Sequence, residues 1–321
     1  MKNTLTKLSS PELRLIHSGK VRDSYALDNG QRMIFVSDRI SAFDRVLATP
    51  VPMKGAVLNK ITNFWFTKTN RIIANHFIRE IDPNLTIVKE VFPIRVEMVV
   101  RGYLSGSMWR YYQNGKRSLS GVNVPDGMTK NQKFAEPILT PTTKEDSDRE
   151  ITPAEIVASG LVSEANFEKM RAAALALFNF GTELLAQKGI ILVDTKYEFG
   201  LDGDEVILID EIHTPDASRF WRASDYELHP ETAEQIDKEF VRLWLIENKI
   251  EKPAGESPDG KSGKKVFDYP TSLPGNIIKE TTRRYLEIHS LITGSTLDEA
   301  LSNNIEERVT NNLILNKIIH Q

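Results

Sequence analysis

Residues 190–212 constrain the fold more than any other stretch of the chain. IILVDTKYEFG and EVILIDEI have the composition of two strands, and the short turn LDGD between them predicts an antiparallel hairpin. Side chains alternate between the two faces of a strand, so Asp194, Lys196 and Glu198 share one face. The opposite face carries four apolar or uncharged residues: Val193, Thr195, Tyr197 and Phe199.

The charged face of this hairpin has two interpretations. It can be a solvated surface ladder, or it can bind a metal ion and phosphate, since Mg²⁺ takes few carboxylate ligands and completes its shell with phosphate oxygens and water. The returning strand ends in Asp210-Glu211, and HTPDASRFW adds Asp216 and Arg219. A two-residue turn favours Glu211 on the charged face, whereas one more turn residue favours Asp210.

RGYLSGSMW, residues 101–109, is a second candidate site. A strand ends at Arg101, small residues follow, and a helix begins near Ser107. The positive end of a helix beside an arginine suits a phosphate monoester. The alternative is a capped turn with a surface arginine.

Two N-terminal segments also carry charge at strand ends. In SGKVRDSY, Gly19 permits close backbone approach, and Lys20 and Arg22 alternate outward. SDRISAFD, residues 37–44, places two aspartates and an arginine directly after a strand, where polar residues tend to be functional.

The remaining pattern predicts a mixture of helices and strands. Residues 17–50 indicate short strands with a turn at Asn29-Gly30, and residues 94–100 indicate a buried strand. A capping box at 152–155 opens a helix, and a stronger amphipathic helix ends near Gly189. Further helices are expected at 58–69, about 229–249 and 276–293, and residues 116–150 are expected to form one long loop.

Composition excludes several classes of function. The chain has 321 residues, a net charge of −3 from 41 basic and 44 acidic residues, and no cysteine. Two lobes are expected at this length. Disulfides and thiolate chemistry are excluded, and no basic tract indicates nucleic acid. No stretch is apolar enough to span a membrane, so the prediction is a cytoplasmic protein.

GESPDGKSG, 255–263, spells a P-loop, but its flanks lack the strand and helix that the loop requires, which indicates a solvated linker.

Six segments in order resemble the SAICAR synthetase family of purine biosynthesis: SGKVRDSY, SDRISAFD, VEMVVRGYLSGSMWRYY, EPILTPTTK, VDTKYEFG and DEIHTPDASRFW. The resemblance is dense from residue 17 to 222 and continues in the helical C-terminus. It implies ligation of L-aspartate to the carboxylate of 5-amino-1-(5-phosphoribosyl)imidazole-4-carboxylate (CAIR), with ATP as co-substrate and Mg²⁺ as cofactor. It also implies an α+β, two-lobed fold with a kinase-like, ATP-grasp-like cleft. A mainly β lobe would cover 1–95 and a larger lobe with C-terminal helices 96–321.

By matching position, the resemblance assigns three groups of residues. The nucleotide would be held by Gly19, Lys20, Val21 and Arg22, by the hinge Glu97-Met98-Val99 beside adenine, and by Lys144. CAIR and aspartate would be held by Asp38, Arg39, Ser41, Asp44, Arg101, Ser107, Asp216, Ser218 and Arg219. The catalytic group would be Asp194, Lys196, Glu198 and Asp210, with Glu198 and Asp210 as Mg²⁺ ligands, which selects the longer turn.

The chain departs from the family pattern at two places. Ser147-Asp148 stands where many members have His-Asp, and Ala217 stands where a serine is common. Three other functions also suit a cleft with lysines and acidic metal ligands: a small-molecule kinase, a ligase for another amine, and a non-catalytic nucleotide sensor. The expected partners are small molecules, and the expected assembly is a monomer or small homo-oligomer.

Overall fold

The computed structural model of the chain describes residues 3–145, 149–252 and 266–320. Its first part is a five-stranded antiparallel sheet of strand order β1-β2-β3-β7-β6. The elements are β1 (Leu15–Ser18), β2 (Arg22–Ala26), β3 (Gln31–Val36), the short pair β4 (Ser41–Ala42) and β5 (Arg45–Val46), helix α1 (Lys54–Thr69), β6 (Phe77–Asp82) and β7 (Leu85–Lys89). The predicted turn between β2 and β3 is confirmed, with Asn29 and Gly30 at φ 60° and 68°.

The middle of the chain begins a second sheet. Its elements are β8 (Phe92–Tyr103), α2 (Gly106–Gln113), β9 (Ser118–Leu119), β10 (Val122–Asn123), β11 (Lys133–Leu139), β12 (Thr142–Thr143), α3 (Pro153–Ala158) and α4 (Glu164–Ala186). The predicted capping box is confirmed, because Thr152 accepts from the Glu155 N–H and Glu155 accepts from the Thr152 N–H.

The third part completes this sheet. Its elements are β13 (Ile190–Asp202), β14 (Glu205–Ile209), β15 (Ser218–Arg222), α5 (Ala223–Leu228), α6 (Glu239–Glu247), β16 (Ile250–Lys252), β17 (Val266–Asp268), α7 (Gly275–Thr293) and α8 (Ile305–Leu315). The strand order is β11-β8-β13-β14, with β12 also paired to β8 and β15 to β13. Strand β13 is therefore central, and it carries the predicted charged face.

Helix α4 covers the apolar face of this sheet. Six residues that recur along one side of α4 are buried: Phe167, Met170, Ala174, Phe178, Gly181 and Leu185. All of them except Gly181 share one core with the β13 side chains Tyr197 and Phe199. The opposite face of β13 is left for the charged side chains.

Helix α8 packs on the N-terminal sheet, although some 200 residues separate them in sequence. Ile305, Val309 and Leu313 share a core with Met33 and Phe35 of β3. The division at residues 95 and 96 stays a prediction, and this core joins residues from both sides of it.

Two segments differ from the structure that the sequence predicts. Residues 116–150 are not one structureless loop, since β9–β12 lie within them. Strand β11 escaped recognition because Pro137 interrupts it where its register with β8 shifts, as suits an edge strand. The helix expected at 229–249 begins only at Glu239, because Pro230 opens a separate 3-10 turn and the Asp237 carboxylate accepts the Glu239 N–H at 2.7 Å.

The α+β class is confirmed. Within the described residues, none of the helices is both long and apolar enough to cross a membrane. The P-loop-like segment 255–263 and Ser147-Asp148 lie outside the described residues.

Candidate active site

The charged face of β13 is enclosed rather than solvated. The side chains of Asp194 and Glu198 are 6% and 4% exposed. Strand β13 lies between β8 and β15, which sets Asp194 opposite Arg101 on one side and Arg219 on the other. A surface ladder is therefore excluded, since its carboxylates would be open to water.

One end of this face is a lysine–carboxylate cluster. The Lys196 ammonium donates to Glu97 at 2.6 Å and to Glu198 at 3.2 Å, while Lys144 pairs with the other Glu198 oxygen. Burial opposes the charge of Lys196, but Glu198, Glu97 and Asp210 outweigh it and raise its pKa well above the usual value. Lys196 therefore stays an ammonium at neutral pH and is no proton acceptor.

The hairpin turn corrects one expectation. Asp202 pairs with Glu205 and Glu198 with Ile209, so the turn has two residues and the longer turn is wrong. The ladder ends at Ile209, and Asp210 then adopts a left-handed backbone with φ 65°. Asp210 raises the pKa of both Lys144 and Lys196, so its negative charge acts on the cluster although Asp210 lies beyond the paired ladder.

The oxygen donors of this cluster fit a hard cation. Glu97, Glu198 and Asp210 face Lys144 and Lys196, which leaves one more negative than positive charge. Among the described residues, Lys144 and Lys196 contact the two Glu198 oxygens, and a cation can displace both ammonium groups. Arg22 stands 3.7 Å from Asp210, beyond hydrogen-bond length. No group of three or more histidines or carboxylates arranged for a metal occurs among the described residues, so phosphate and water oxygens would complete an Mg²⁺ shell.

The other end of the face is cationic. Asp194 accepts from Arg219 at 2.7 Å and from Arg101 at 3.3 Å, and Thr140 accepts from Arg101 at 2.9 Å. Burial opposes the charge of Arg219, yet Asp194 and Glu239 raise its pKa, whereas burial lowers the pKa of Arg101. The side chain of Arg101 is 9% exposed, which excludes a surface arginine.

Helix α2 begins directly beside these arginines. A Cβ on Gly106 would lie 2.5 Å from the Arg219 guanidinium carbon, so a larger residue would displace Arg219 or the helix, and the φ of 58° also favours glycine. Ser107 follows as the next residue of the helix. The N-terminus of α2 thus lies against Arg219, whose partner Asp194 also binds Arg101, and a helix N-terminus beside guanidinium groups suits an anion such as phosphate.

The N-terminal candidates Lys20 and Arg22 differ in their exposure and in their partners. Lys20 is half exposed and pairs with Asp44, and the Gly19 N–H donates to the Arg22 carbonyl at 2.7 Å, which closes the turn between β1 and β2. Arg22 itself is bound to Glu211 through two hydrogen bonds. Val21 is buried.

Several predicted binding residues are internal. The buried Asp38 carboxylate accepts from the Leu5 and Gly55 N–H groups, both at 2.9 Å, and burial raises its pKa to about 6. Ser41 is buried, and Arg39 pairs with Asp23 at 2.8 Å. Backbone contacts hold Asp38, whereas Arg39 Nε is buried without a hydrogen-bond partner among the described residues, and the substrate roles of these three residues stay predictions.

Strand residues assigned to the hinge and to the substrate also make contacts within the protein. The Val99 carbonyl accepts from the Thr140 N–H at 2.8 Å, and the Met98 side chain of β8 is fully buried. Ser218 is buried and donates to Thr195 at 2.7 Å.

The contacts of Asp216 were not predicted from the sequence. It is buried and bonded to Lys54 at 2.9 Å, Tyr285 at 2.7 Å and Lys238 at 3.3 Å. Although burial acts against the charge, Lys238 and Lys54 lower the pKa of Asp216, and burial lowers the pKa of Lys238 to about 8. Only Lys54-Gly55 gave a local signal, a lysine and glycine together at a helix start.

Comparison with known proteins agrees with this architecture. The model of the SAICAR synthetase family matches residues 15–256. The phosphoribosylaminoimidazole-succinocarboxamide synthase of Bacteroides fragilis is 43% identical over 319 residues, 97% of each chain, and that of Legionella pneumophila is 42% identical over 308 residues, 92% of this chain and 94% of the relative. The structure of the Saccharomyces cerevisiae SAICAR synthase complexed with SAICAR superimposes with a TM-score of 0.76 at 33% identity, covering 92% of this chain and 99% of that one. The chain belongs to the SAICAR synthetase family and is a ligase of purine biosynthesis.

Proposed function

We propose that the chain joins L-aspartate to the carboxylate of CAIR with conversion of ATP to ADP and phosphate, giving SAICAR. One observation carries the proposal: the arginine end and the lysine–carboxylate end of the site lie on the same face of β13. Asp194 and Glu198 mark the two ends, and four residues of strand separate them by about 13 Å. A ribonucleotide bound by its phosphate at one end therefore reaches the other with its base.

The phosphate of CAIR binds at the start of α2. Arg101 and Arg219 supply the charge, and the helix N-terminus with Ser107 supplies further donors. The S. cerevisiae relative complexed with SAICAR supports a ligand of this kind. Asp194 holds both guanidinium groups in place, since it contacts each of them.

The ATP phosphates bind at the other end. Lys20 and Lys144 supply partly exposed ammonium groups for them, and Glu198 and Asp210 would hold Mg²⁺. Bound Mg²⁺ would supply charge neutralisation on the transferred phosphoryl group. To contact phosphate, Lys20 leaves Asp44 and Lys144 leaves Glu198.

The reaction joins a poor electrophile to an amine, so the carboxylate must first be activated. An oxygen of the CAIR carboxylate attacks the γ-phosphorus in line, the bond to the β-phosphate oxygen breaks, and ADP leaves. The aspartate amine, as the free base, then attacks the acyl carbon of this acyl phosphate. The bond from that carbon to the phosphate oxygen breaks, phosphate departs, and the nitrogen releases one proton to give the amide. Lys196 remains protonated and orients the anionic groups through Glu97 and Glu198.

Water has to be kept from the acyl phosphate, which it would hydrolyse. Residues 116–145 form the candidate cover, since β11 and β12 line β8 beside Glu97 and Arg101. Lys144 belongs to this cover, so closure and phosphate contact would occur together.

One coupled assay tests the proposal. ADP release is measured with ATP, CAIR and each amino acid in turn, and the product is identified by mass. Formation of SAICAR with aspartate, and with no other amino acid, supports the proposal. A stable phosphorylated product without aspartate would indicate a kinase, another amine requirement a different ligase, and ATP binding without turnover a sensor.

A further inference from the structure

Arg22 differs from the other cations of the site because a single carboxylate binds both of its terminal nitrogens. Its Nη1 donates to Glu211 Oε1 at 2.7 Å and its Nη2 to Oε2 at 2.6 Å, with side chains 13% and 6% exposed. We propose that Arg22 is a positioning residue that holds the Asp210-Glu211 turn, rather than a ligand of the ATP phosphates. The role of Asp210 as a metal ligand rests on the proposed function.

The pair connects two different parts of the fold. Arg22 opens β2 of the five-stranded sheet, whereas Glu211 follows β14 of the six-stranded sheet. Two parallel hydrogen bonds fix both distance and orientation, so the pair sets where the end of β14 lies relative to β2. Lys20, two residues away, is thereby fixed relative to Asp210.

The turn needs such support because its backbone is unusual. Asp210 has φ 65°, a left-handed conformation that is unfavourable for a residue with a Cβ. Glu211 also accepts from the Thr214 hydroxyl, and the Thr214 carbonyl accepts the Ala217 and Ser218 N–H groups at 3.2 and 2.9 Å. The Arg22–Glu211 pair is thus the outer anchor of the whole 210–218 connection.

Recruitment of Arg22 by phosphate is also unfavourable. It would break both bonds to Glu211 and leave that carboxylate buried without its cation, which is strongly destabilising. Lys20 is half exposed and has only one exposed carboxylate to leave. The phosphate therefore takes Lys20, and Arg22 stays with Glu211.

The test compares Arg22→Gln, Glu211→Gln, the double variant, Lys20→Gln and Asp210→Asn in the full chain. Calorimetry with EDTA gives metal-free ATP affinity, and electron paramagnetic resonance gives the Mn²⁺ affinity of the protein–ATP complex. We expect Arg22→Gln and Glu211→Gln each to weaken Mn²⁺ binding about tenfold and metal-free ATP binding by less than about threefold. The double variant should lie within about twofold of the weaker single variant, since both remove one interaction.

Lys20→Gln provides the opposite pattern, with metal-free ATP binding weakened about tenfold. If Arg22→Gln behaves like Lys20→Gln while Glu211→Gln binds metal-free ATP normally, Arg22 is a phosphate ligand and the inference is overturned. Arg22→Lys covers the case in which the glutamine variants do not fold: it keeps the charge but removes the two-pronged geometry, so lost Mn²⁺ affinity supports positioning and normal affinity overturns it.

Asp210→Asn separates this inference from the proposed function. Normal Mn²⁺ affinity in Asp210→Asn, with losses in Arg22→Gln and Glu211→Gln, would reject Asp210 as a ligand and keep the positioning role. A loss in Asp210→Asn alone would reject the positioning role and keep the metal assignment.

Discussion

Replacing Gly106 by alanine tests the proposed phosphate-binding end of the site without substituting either arginine. The new Cβ would stand 2.5 Å from Arg219 Cζ and Nη2, far inside van der Waals contact. Arg219 cannot move freely, because Asp194 holds it at 2.7 Å and Glu239 at 3.2 Å. The guanidinium must therefore leave the start of α2 or the helix must shift away from it.

The expected loss follows from the bonds at stake. A hydrogen bond to a charged group contributes about 1.5–3 kcal/mol, so losing the Arg219 contact should raise KM for CAIR roughly ten- to a hundredfold. The interaction is remote from the reacting carboxylate, so kcat should change less than KM. KM for ATP should stay within about threefold, because that end of the site is about 13 Å away.

Gly115→Ala is the matched control. Gly115 lies just beyond the other end of α2 with φ 84°, and a Cβ there would meet nothing within 4 Å. Both variants carry the left-handed alanine penalty of about 1–2 kcal/mol, so both should lose stability in thermal unfolding. Only Gly106→Ala should lose CAIR affinity in steady-state kinetics; equal CAIR affinities in the two variants would refute a phosphate site at this helix end.

Three further outcomes are expected. Glu198→Gln and Asp210→Asn should each keep the fold and lower kcat by about two to four decades, and near-normal turnover at saturating Mg²⁺ would discard that ligand. Lys20→Ala should weaken ATP use at least about tenfold, whereas Lys261→Ala should leave kcat/KM for ATP within about twofold; the reverse pattern would move the nucleotide site. Burial raises the pKa of Asp38 from 3.8 to about 6, so its contribution to folding is present below about pH 4 and is lost as pH rises through 6. Asp38→Asn should flatten the urea-derived stability profile in that window, and an unchanged slope would contradict the shift.

Local pattern predicted the elements whose signals are local. The alternation around Lys196 placed three charges on one face of a central strand, and Asn29-Gly30 and the Thr152 capping box marked their turns correctly. Each of these features depends on residues within about one turn or one strand of each other, where side-chain period and backbone preference decide the outcome.

The missed features depend on distant partners. The cations around Asp216 come from Lys54 and Lys238, and Tyr285 adds its hydroxyl from a third helix, so no spacing in the chain relates them. The left-handed Asp210 was missed for a similar reason, since its neighbour Glu211 binds Arg22 of the other sheet. Side-chain period gives the face of a strand but not the conformation of the residue where the strand ends.

The packing of α8 on the N-terminal sheet has a consequence for synthesis of the chain. The sheet's last strand ends at Lys89, but the helix that covers Met33 and Phe35 begins at Ile305. At translation rates of about 5–20 residues per second, the ribosome needs on the order of 10 to 40 s for the intervening residues. During that time the nascent sheet presents an open apolar face, which is the kind of surface that chaperones bind and that promotes association between unfinished chains.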